Sequence, residues 1–231
     1  MNYQAVILAA GMGTRLGRQP WPKPLTPLAD GRTIMQQQMD NLQQVFGEQL
    51  RVLTVVGFKL ESILEAFPDV SYAYNESFDQ TNTNRSLLKA LRQASDGGVL
   101  WLNGDVVFDP QVLERAKTLI DADQSFVCVN TAAVAEEEVK YTVDADGFID
   151  ALSKQVSPAL GEAVGINYIS STDRASLIRG LQACQDHDYF ERGIEIAIET
   201  EGLQVLPLDI TEFFVVEVDF AEDLTRANQH L

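Results

Sequence analysis

Basic residues are scarce in this chain. Of its 231 residues, 17 are lysine or arginine and 34 are aspartate or glutamate, for a formal charge of −17. Nucleic-acid binding rests on a basic footprint for phosphate contacts, so this balance argues against a nucleic-acid partner. It argues equally against docking on anionic membrane surfaces. Cysteine is rarer still. Cys128 and Cys184 lie far apart, lack metal-ligand spacing, and read as reduced, buried thiols. No apolar run approaches the roughly 18 residues that cross a bilayer. The first positive charge, Arg15, follows the first apolar stretch instead of preceding it. A signal peptide is therefore not expected, and the cytoplasm is the expected compartment. Internal repeats, low-complexity tracts and linkers are also missing. What remains is an ordinary globular composition, 45% hydrophobic and 22% charged, on a length that suits one domain with a full core.

The acidity is uneven. Residues 1–29 hold no aspartate or glutamate but carry Arg15, Arg18 and Lys23. A basic island in an acidic chain points to a local anion site.

Hydrophobic patterning supplies the architecture. Residues 4–9 form a continuous apolar run that predicts a buried strand, and a loop rich in glycine and proline follows over 11–27. Apolar positions at helical spacing over 33–46 predict a helix. Strands are expected at 51–56, 70–74, 99–102 and 126–129, with helices between them at 60–67, 86–94 and 111–120. This alternation argues for an α/β fold with a doubly wound, mostly parallel sheet, whose ligands sit at the carboxyl ends of the strands. After about residue 130 the pattern changes. Strands at 139–143, 148–152 and 164–169 precede helices at 172–183 and 188–199, strands at 203–208 and 213–218, and a last helix at 221–228. The expected organisation is a single domain, 1–231. Within it, 1–130 is the alternating half, 131–212 a smaller, more antiparallel insert, and 213–231 a strand and helix that return to the first half.

Leu8-Ala9-Ala10-Gly11-Met12-Gly13-Thr14-Arg15 follows the first strand directly. Small residues there let backbone N–H groups approach phosphate oxygens. The spacing fits neither the dinucleotide fingerprint nor a Walker loop. Joined to Pro22-Lys23-Pro24-Leu25, the string resembles the signature of the nucleotidyltransferases that make NDP-sugars and CDP-alcohols. Asn103-Gly104-Asp105 resembles that family's metal-binding aspartate segment. The stretch 216–224, Val-Glu-Val-Asp-Phe-Ala-Glu-Asp-Leu, resembles its closing acidic segment. Asn75 through Leu87, with its Thr-Asn-x-x-x-Ser core, is similar to a segment of bacterial choline-phosphate cytidylyltransferases and their relatives. So are Glu138-Val139-Lys140, Ser153-Lys154, Gly161-Glu162 and Tyr189-Phe190-Glu191. The chain departs from those relatives in a shortened loop between Arg15 and Pro22 and in Glu76.

The resemblance implies a Rossmann-like sheet of the nucleotidyltransferase and glycosyltransferase-A kind, with a β-rich acceptor-binding part between 131 and 212. It implies transfer of a nucleotidyl group from an NTP, here CTP, to a small phosphorylated alcohol or amino alcohol, with release of pyrophosphate. Phosphocholine leads as acceptor. Such chemistry leaves little covalent work to the protein, so positioning and charge neutralisation dominate. Arg15 and Lys23 are the expected catalytic cations. Leu8, Ala9, Ala10, Gly11, Gly13 and Thr14 are expected to hold the nucleotide, with Ser86, Thr83 and Asn84; the last two serve equally well as helix-capping residues. Asp105, Glu217 and Asp219 are expected to bind Mg²⁺, which takes oxygen ligands and keeps waters. Glu217 and Asp219, two apart on a strand, would share a face and leave Val216 and Val218 to the core. A cationic headgroup wants aromatic faces and carboxylates, which brings in Tyr189, Glu191 and Glu162, with Lys154 for the acceptor phosphate. Trp21 either covers the nucleotide or packs the loop. Asp144-Ala145-Asp146-Gly147 reads as a hairpin turn. The alternatives are a sugar-1-phosphate nucleotidyltransferase, a cytidylyltransferase for 2-aminoethylphosphonate or a polyol phosphate, a glycosyltransferase, or a non-catalytic nucleotide sensor. A monomer or homodimer fits equally.

Overall fold

The computed structural model describes residues 2–17, 19–132 and 134–231, with Thr14 as backbone only. Arg18 lies outside the described residues, as does the side chain of Thr14. In chain order the first half holds β1 (Tyr3–Ala9), α1 (Ile34–Phe46), β2 (Leu50–Val56), α2 (Leu60–Ala66), β3 (Ser71–Tyr74), α3 (Thr83–Gln93), β4 (Val99–Asn103), β5 (Val106–Phe108), α4 (Pro110–Asp121) and β6 (Phe126–Asn130). The second half holds β7 (Lys140–Val143), β8 (Ile149–Ser153), β9 (Gly161–Ile169), α5 (Arg174–Ala183), α6 (Phe190–Glu201), β10 (Leu206–Asp209), β11 (Val215–Glu217) and α7 (Ala221–His230).

The central sheet runs β10-β6-β9-β4-β1-β2-β3, and the β7–β8 hairpin joins it along β9. Pairs β1–β2, β1–β4, β2–β3 and β6–β10 are parallel. Along this path β9 runs against its neighbours β4 and β6 and sits between them, and the β7–β8 hairpin adds further antiparallel pairs.

Alternation along β1 shows how the sheet divides the core. Val6 and Leu8 join a cluster with Leu87 and Leu91 of α3, Leu177 and Leu181 of α5, and Phe190 and Ile194 of α6. Ala5, Ile7 and Ala9 face the opposite layer, with Met35 and Leu42 of α1 and Val112 and Leu113 of α4. Successive strand side chains point to opposite faces, so a run buried at every position needs helices on both sides. A third, smaller cluster packs Val107, Val216, Val218 and Ala227 under α7.

Several boundaries differ from the sequence expectation. Helix α3 begins at Thr83, capped by the Asn82 side chain on the Thr83 amide at 2.8 Å. Strand β9 begins at Gly161. The three-residue β5 has no separate sequence signal, and it pairs antiparallel with β11 outside the main sheet. Strand β11 stops at Glu217, so Asp219 lies just beyond it, yet both side chains line one cavity. Val216 and Val218 are nonetheless buried, as alternation predicts. The Asp144–Gly147 segment is the β7–β8 turn, with Asp144 Oδ1 accepting from the amides of Asp146 and Phe148.

Candidate active site

The carboxyl ends of β1 and β4 open onto a cavity of about 450 Å³. The glycine loop after β1 forms one wall, and the turn after β4 forms the floor. These are pinned together by the Gly104 amide, which donates to the Leu8 carbonyl at 3.0 Å. The residues after β11 close the floor, with the Val218 amide donating to the Asp105 carbonyl at 2.9 Å.

Lys23 lies at the centre. Its Nζ donates to Asp105 Oδ2 at 2.7 Å and to Asp219 Oδ1 at 2.6 Å. Arg15 Nη1 donates to the other oxygen of Asp219 at 2.7 Å. The proline-bracketed turn that carries Lys23 brings its stem under the glycine loop. Gly13 makes this possible: its φ is +58°, and a Cβ there would lie 2.8 Å from Lys23 Cβ. Burial opposes the Lys23 charge, but Asp105 and Asp219 hold its pKa above the ordinary lysine value. Burial likewise works against ionisation of Asp219, and Lys23 and Arg15 outweigh it, so that carboxyl sits below its usual range. Asp219 raises the Arg15 pKa in turn.

Glu217 reaches the same floor and accepts from Asn103 Nδ2 at 3.3 Å. Gly165 of β9 lies against it with φ +69°, and a Cβ there would stand 2.5 Å from Glu217 Oε1. Burial, followed by Asp105, Glu138 and Glu191, pushes Glu217 well above the ordinary glutamate pKa. The donor set suits a hard divalent ion. Asp105 Oδ1 is buried and has no hydrogen-bond partner among the described residues. No three acidic, histidine or cysteine side chains among the described residues form a ready-made metal cage. Asp105 and Asp219 could hold such an ion only with ligands from elsewhere, the usual arrangement for magnesium with substrate phosphates.

The opposite wall comes from the second half. Lys154 Nζ stands 4.9 Å from the centre of the Tyr189 ring. Glu191, in the first turn of α6, is 8% exposed, and its Oε2 has no partner among the described residues. Burial lifts its pKa to about 7. Glu138 also lines the cavity, and burial together with the charge of Glu162 raises its pKa.

Leu8, Ala9, Gly11, Gly13, Arg15, Lys23 and Thr83 therefore line one cavity with Asp105, Lys154, Tyr189, Glu191, Glu217 and Asp219. Other expected residues do not reach it. Asn84 is fully buried and donates to the Gln185 carbonyl at 2.6 Å. Ser86 accepts from Asn75 Nδ2 at 3.1 Å. Glu162 accepts from the Ala135 amide at 2.8 Å and is not part of the cavity lining. Ala10 is buried behind the loop, its carbonyl accepting from the Phe58 amide at 3.1 Å. Trp21 is not part of the lining; its Nε1 is buried in the loop without a partner among the described residues. Sequence reasoning gave no site role to Glu138, Phe78 or Asn103, all of which line the cavity. Glu138 belongs to the Glu138-Val139-Lys140 stretch that resembles the cytidylyltransferases, but no role was drawn from it.

The family model of the MobA-like NTP transferase domain matches residues 5–165. A CMP-5′-(3-aminopropyl)phosphonate synthase of Streptomyces rubellomurinus is 37% identical over 154 residues, covering 63% of this chain and 24% of that protein. A bifunctional GlmU protein of Methanococcus maripaludis is 32% identical over 115 residues, covering 48% of this chain and 26% of its own length. This chain thus spans about a quarter of the curated relatives it matches. Two solved structures share the fold across the whole chain. The CTP:phosphocholine cytidylyltransferase of Streptococcus pneumoniae superposes with a TM-score of 0.77 at 15% identity, covering 100% of this chain and 99% of that one. The inositol-1-phosphate CTP transferase of T. maritima gives 0.78 at 16%, covering 100% and 98%.

Proposed function

The chain belongs to the MobA-like NTP transferase family, and from that premise we propose that it transfers a cytidylyl group from CTP to a small phosphorylated or phosphonate acceptor bearing an amine, with release of pyrophosphate. The observation that carries the acceptor class is Glu191, a buried carboxylate with one oxygen unpartnered among the described residues, facing the cavity beside Tyr189. An unpaired buried carboxylate is costly, and a cationic ligand removes that cost. A neutral sugar or inositol offers no such charge. Phosphocholine and an aminoalkylphosphonate both supply a cation. Only the second also supplies N–H donors for Glu191 Oε2, so it suits this site better. The activities of the relatives support cytidylyl transfer: one makes a CMP-phosphonate and two use CTP.

In the proposed reaction, an oxygen of the acceptor's phosphate or phosphonate attacks the α-phosphorus, and the bond to the leaving pyrophosphate breaks. Arg15 and Lys23 lie where the triphosphate would rest on the glycine loop, and their charge offsets that of the leaving group. Lys154 would orient the acceptor's anionic end, and Glu191 its amine. Asp105 and Asp219 would hold Mg²⁺ together with substrate phosphates, with Glu217 beside them. When bound, that ion would supply charge neutralisation at the α-phosphate.

Pyrophosphate release measured across four NTPs and a panel of acceptors tests this reading. Turnover is expected with CTP and aminoalkylphosphonates or aminoalkyl phosphates. Release confined to UTP or dTTP with a sugar 1-phosphate overturns it.

A further inference from the structure

Helix α6 begins at Phe190 without a side-chain cap of its own. Its first amide is satisfied from another element: Phe190 N–H donates to Thr83 Oγ1 at 3.1 Å. The loop that leads into α6, residues 184–189, is bound to the start of α3 by further contacts. Asn84 Nδ2 donates to the Gln185 carbonyl at 2.6 Å, and the Asn82 amide donates to the Asp186 carbonyl at 2.9 Å. Arg85 donates from Nη2 to the Cys184 carbonyl and from Nε to Asp186 Oδ1, both at 2.9 Å. The same loop places Tyr189 and Glu191 on the cavity wall.

Thr83 touches the cavity itself, so its effects cannot be assigned to the loop alone. Asn84 does not. It is fully buried, absent from the lining, and uses its amide on the loop carbonyl and its Oδ1 on the Arg85 amide at 2.6 Å. Its one side-chain donor goes to the loop carbonyl, so its hold on the 184–191 wall runs through Gln185. We propose that Asn84 is a positioning residue for the acceptor, setting Tyr189 and Glu191 by holding the Gln185 carbonyl, and that it makes no contact with the nucleotide. The proposal rests on the reading of the Tyr189–Glu191 wall as the acceptor side.

Steady-state kinetics of Asn84→Ala, with each substrate varied in turn, separates the two roles. The acceptor KM is expected to rise about tenfold, the size of one lost buried hydrogen bond, while the CTP KM stays within about twofold. Hydrogen exchange in the substrate-free protein supplies a second measurement, and faster exchange over residues 184–191 is expected. A rise in the CTP KM makes Asn84 a nucleotide contact and overturns the proposal. Unmoved KM values, or unchanged exchange over 184–191, overturn it too. Should the alanine variant fail to fold, Asn84→Asp is read by the same two measurements, since it keeps an acceptor for the Arg85 amide but loses the donor to the Gln185 carbonyl. If the wild-type enzyme uses a phosphorylated acceptor without an amine, the proposed acceptor class fails. The KM split is then read with that acceptor, and the exchange result stands on its own.

Discussion

Glu191 holds its proton up to a pH of about 7 because it is buried. The folded protein therefore binds that proton more tightly than the unfolded chain, where an ordinary glutamate titrates near 4.5. Stability must fall as pH rises through this window, by up to about 3 kcal/mol above it. Glu191→Gln keeps the shape and removes the penalty. Its Tm is expected to exceed that of the wild type by roughly 5–10 °C at pH 8, with the difference vanishing at pH 4. A melting series across pH checks this, and a lower Tm for the variant at pH 8 would contradict it. The charged form is the one that attracts an ammonium group, so the KM for an amine acceptor should fall as pH rises through about 7. Activity and stability thus move in opposite directions at one side chain. Arg15, Lys23 and Asp219 were legible in the sequence because contiguous motifs carry them. Glu138 and Phe78 also sit in stretches that resemble the family, but the motif does not say which of its side chains face the cavity, so neither had a role until the fold placed it.

Helix α1 shows what periodicity alone leaves out. Its apolar face is plain in the sequence, yet three of its buried side chains are polar. Gln38 Nε2 donates to the carbonyls of Asn103 and Val106, both at 2.8 Å, while Gln37 and Asn41 donate to that of Phe108 at 2.6 and 2.7 Å. These bonds hold the β4–β5 turn on which Asp105 stands. Polar side chains break a hydrophobic pattern, and nothing local to residues 37–41 says which carbonyls they satisfy. Gln38→Leu would leave two carbonyls without their donors at a cost of roughly 2 kcal/mol, measurable as a lower denaturation midpoint in urea. Turnover should fall with it, because Asp105 loses its support. Strand β5 escaped notice for a related reason: three apolar residues next to a helix start have no period to read. The Asn75–Ser86 stretch was legible as a motif but not in its use. Ser86 and Asn84 organise neighbouring loops, while the residues around them, Phe78, Thr81, Asn82 and Thr83, meet the cavity.

At the scale of the molecule, the alternating first half announced a parallel sheet, and the sheet is mostly parallel. Sequence order could not show that β9 enters the middle of it. Strand β4 pairs with β1 and β9, and β6 pairs only with β9 and β10. A fragment of residues 1–130 would contain β6 but neither of its partners, and the β4 edge would be bare. Such a fragment is expected to lack a cooperative thermal transition, which calorimetry would detect; a sharp two-state melt would show that the two halves fold independently. The central position of β9 also sets a timetable for biosynthesis. Until β9 has been synthesised, β6 has no neighbour to join, and the exposed edges of β4 and β6 can pair with other nascent chains. Translation speed across residues 130–170, and the chaperones present during that interval, should therefore govern how much of this protein is recovered from a cell.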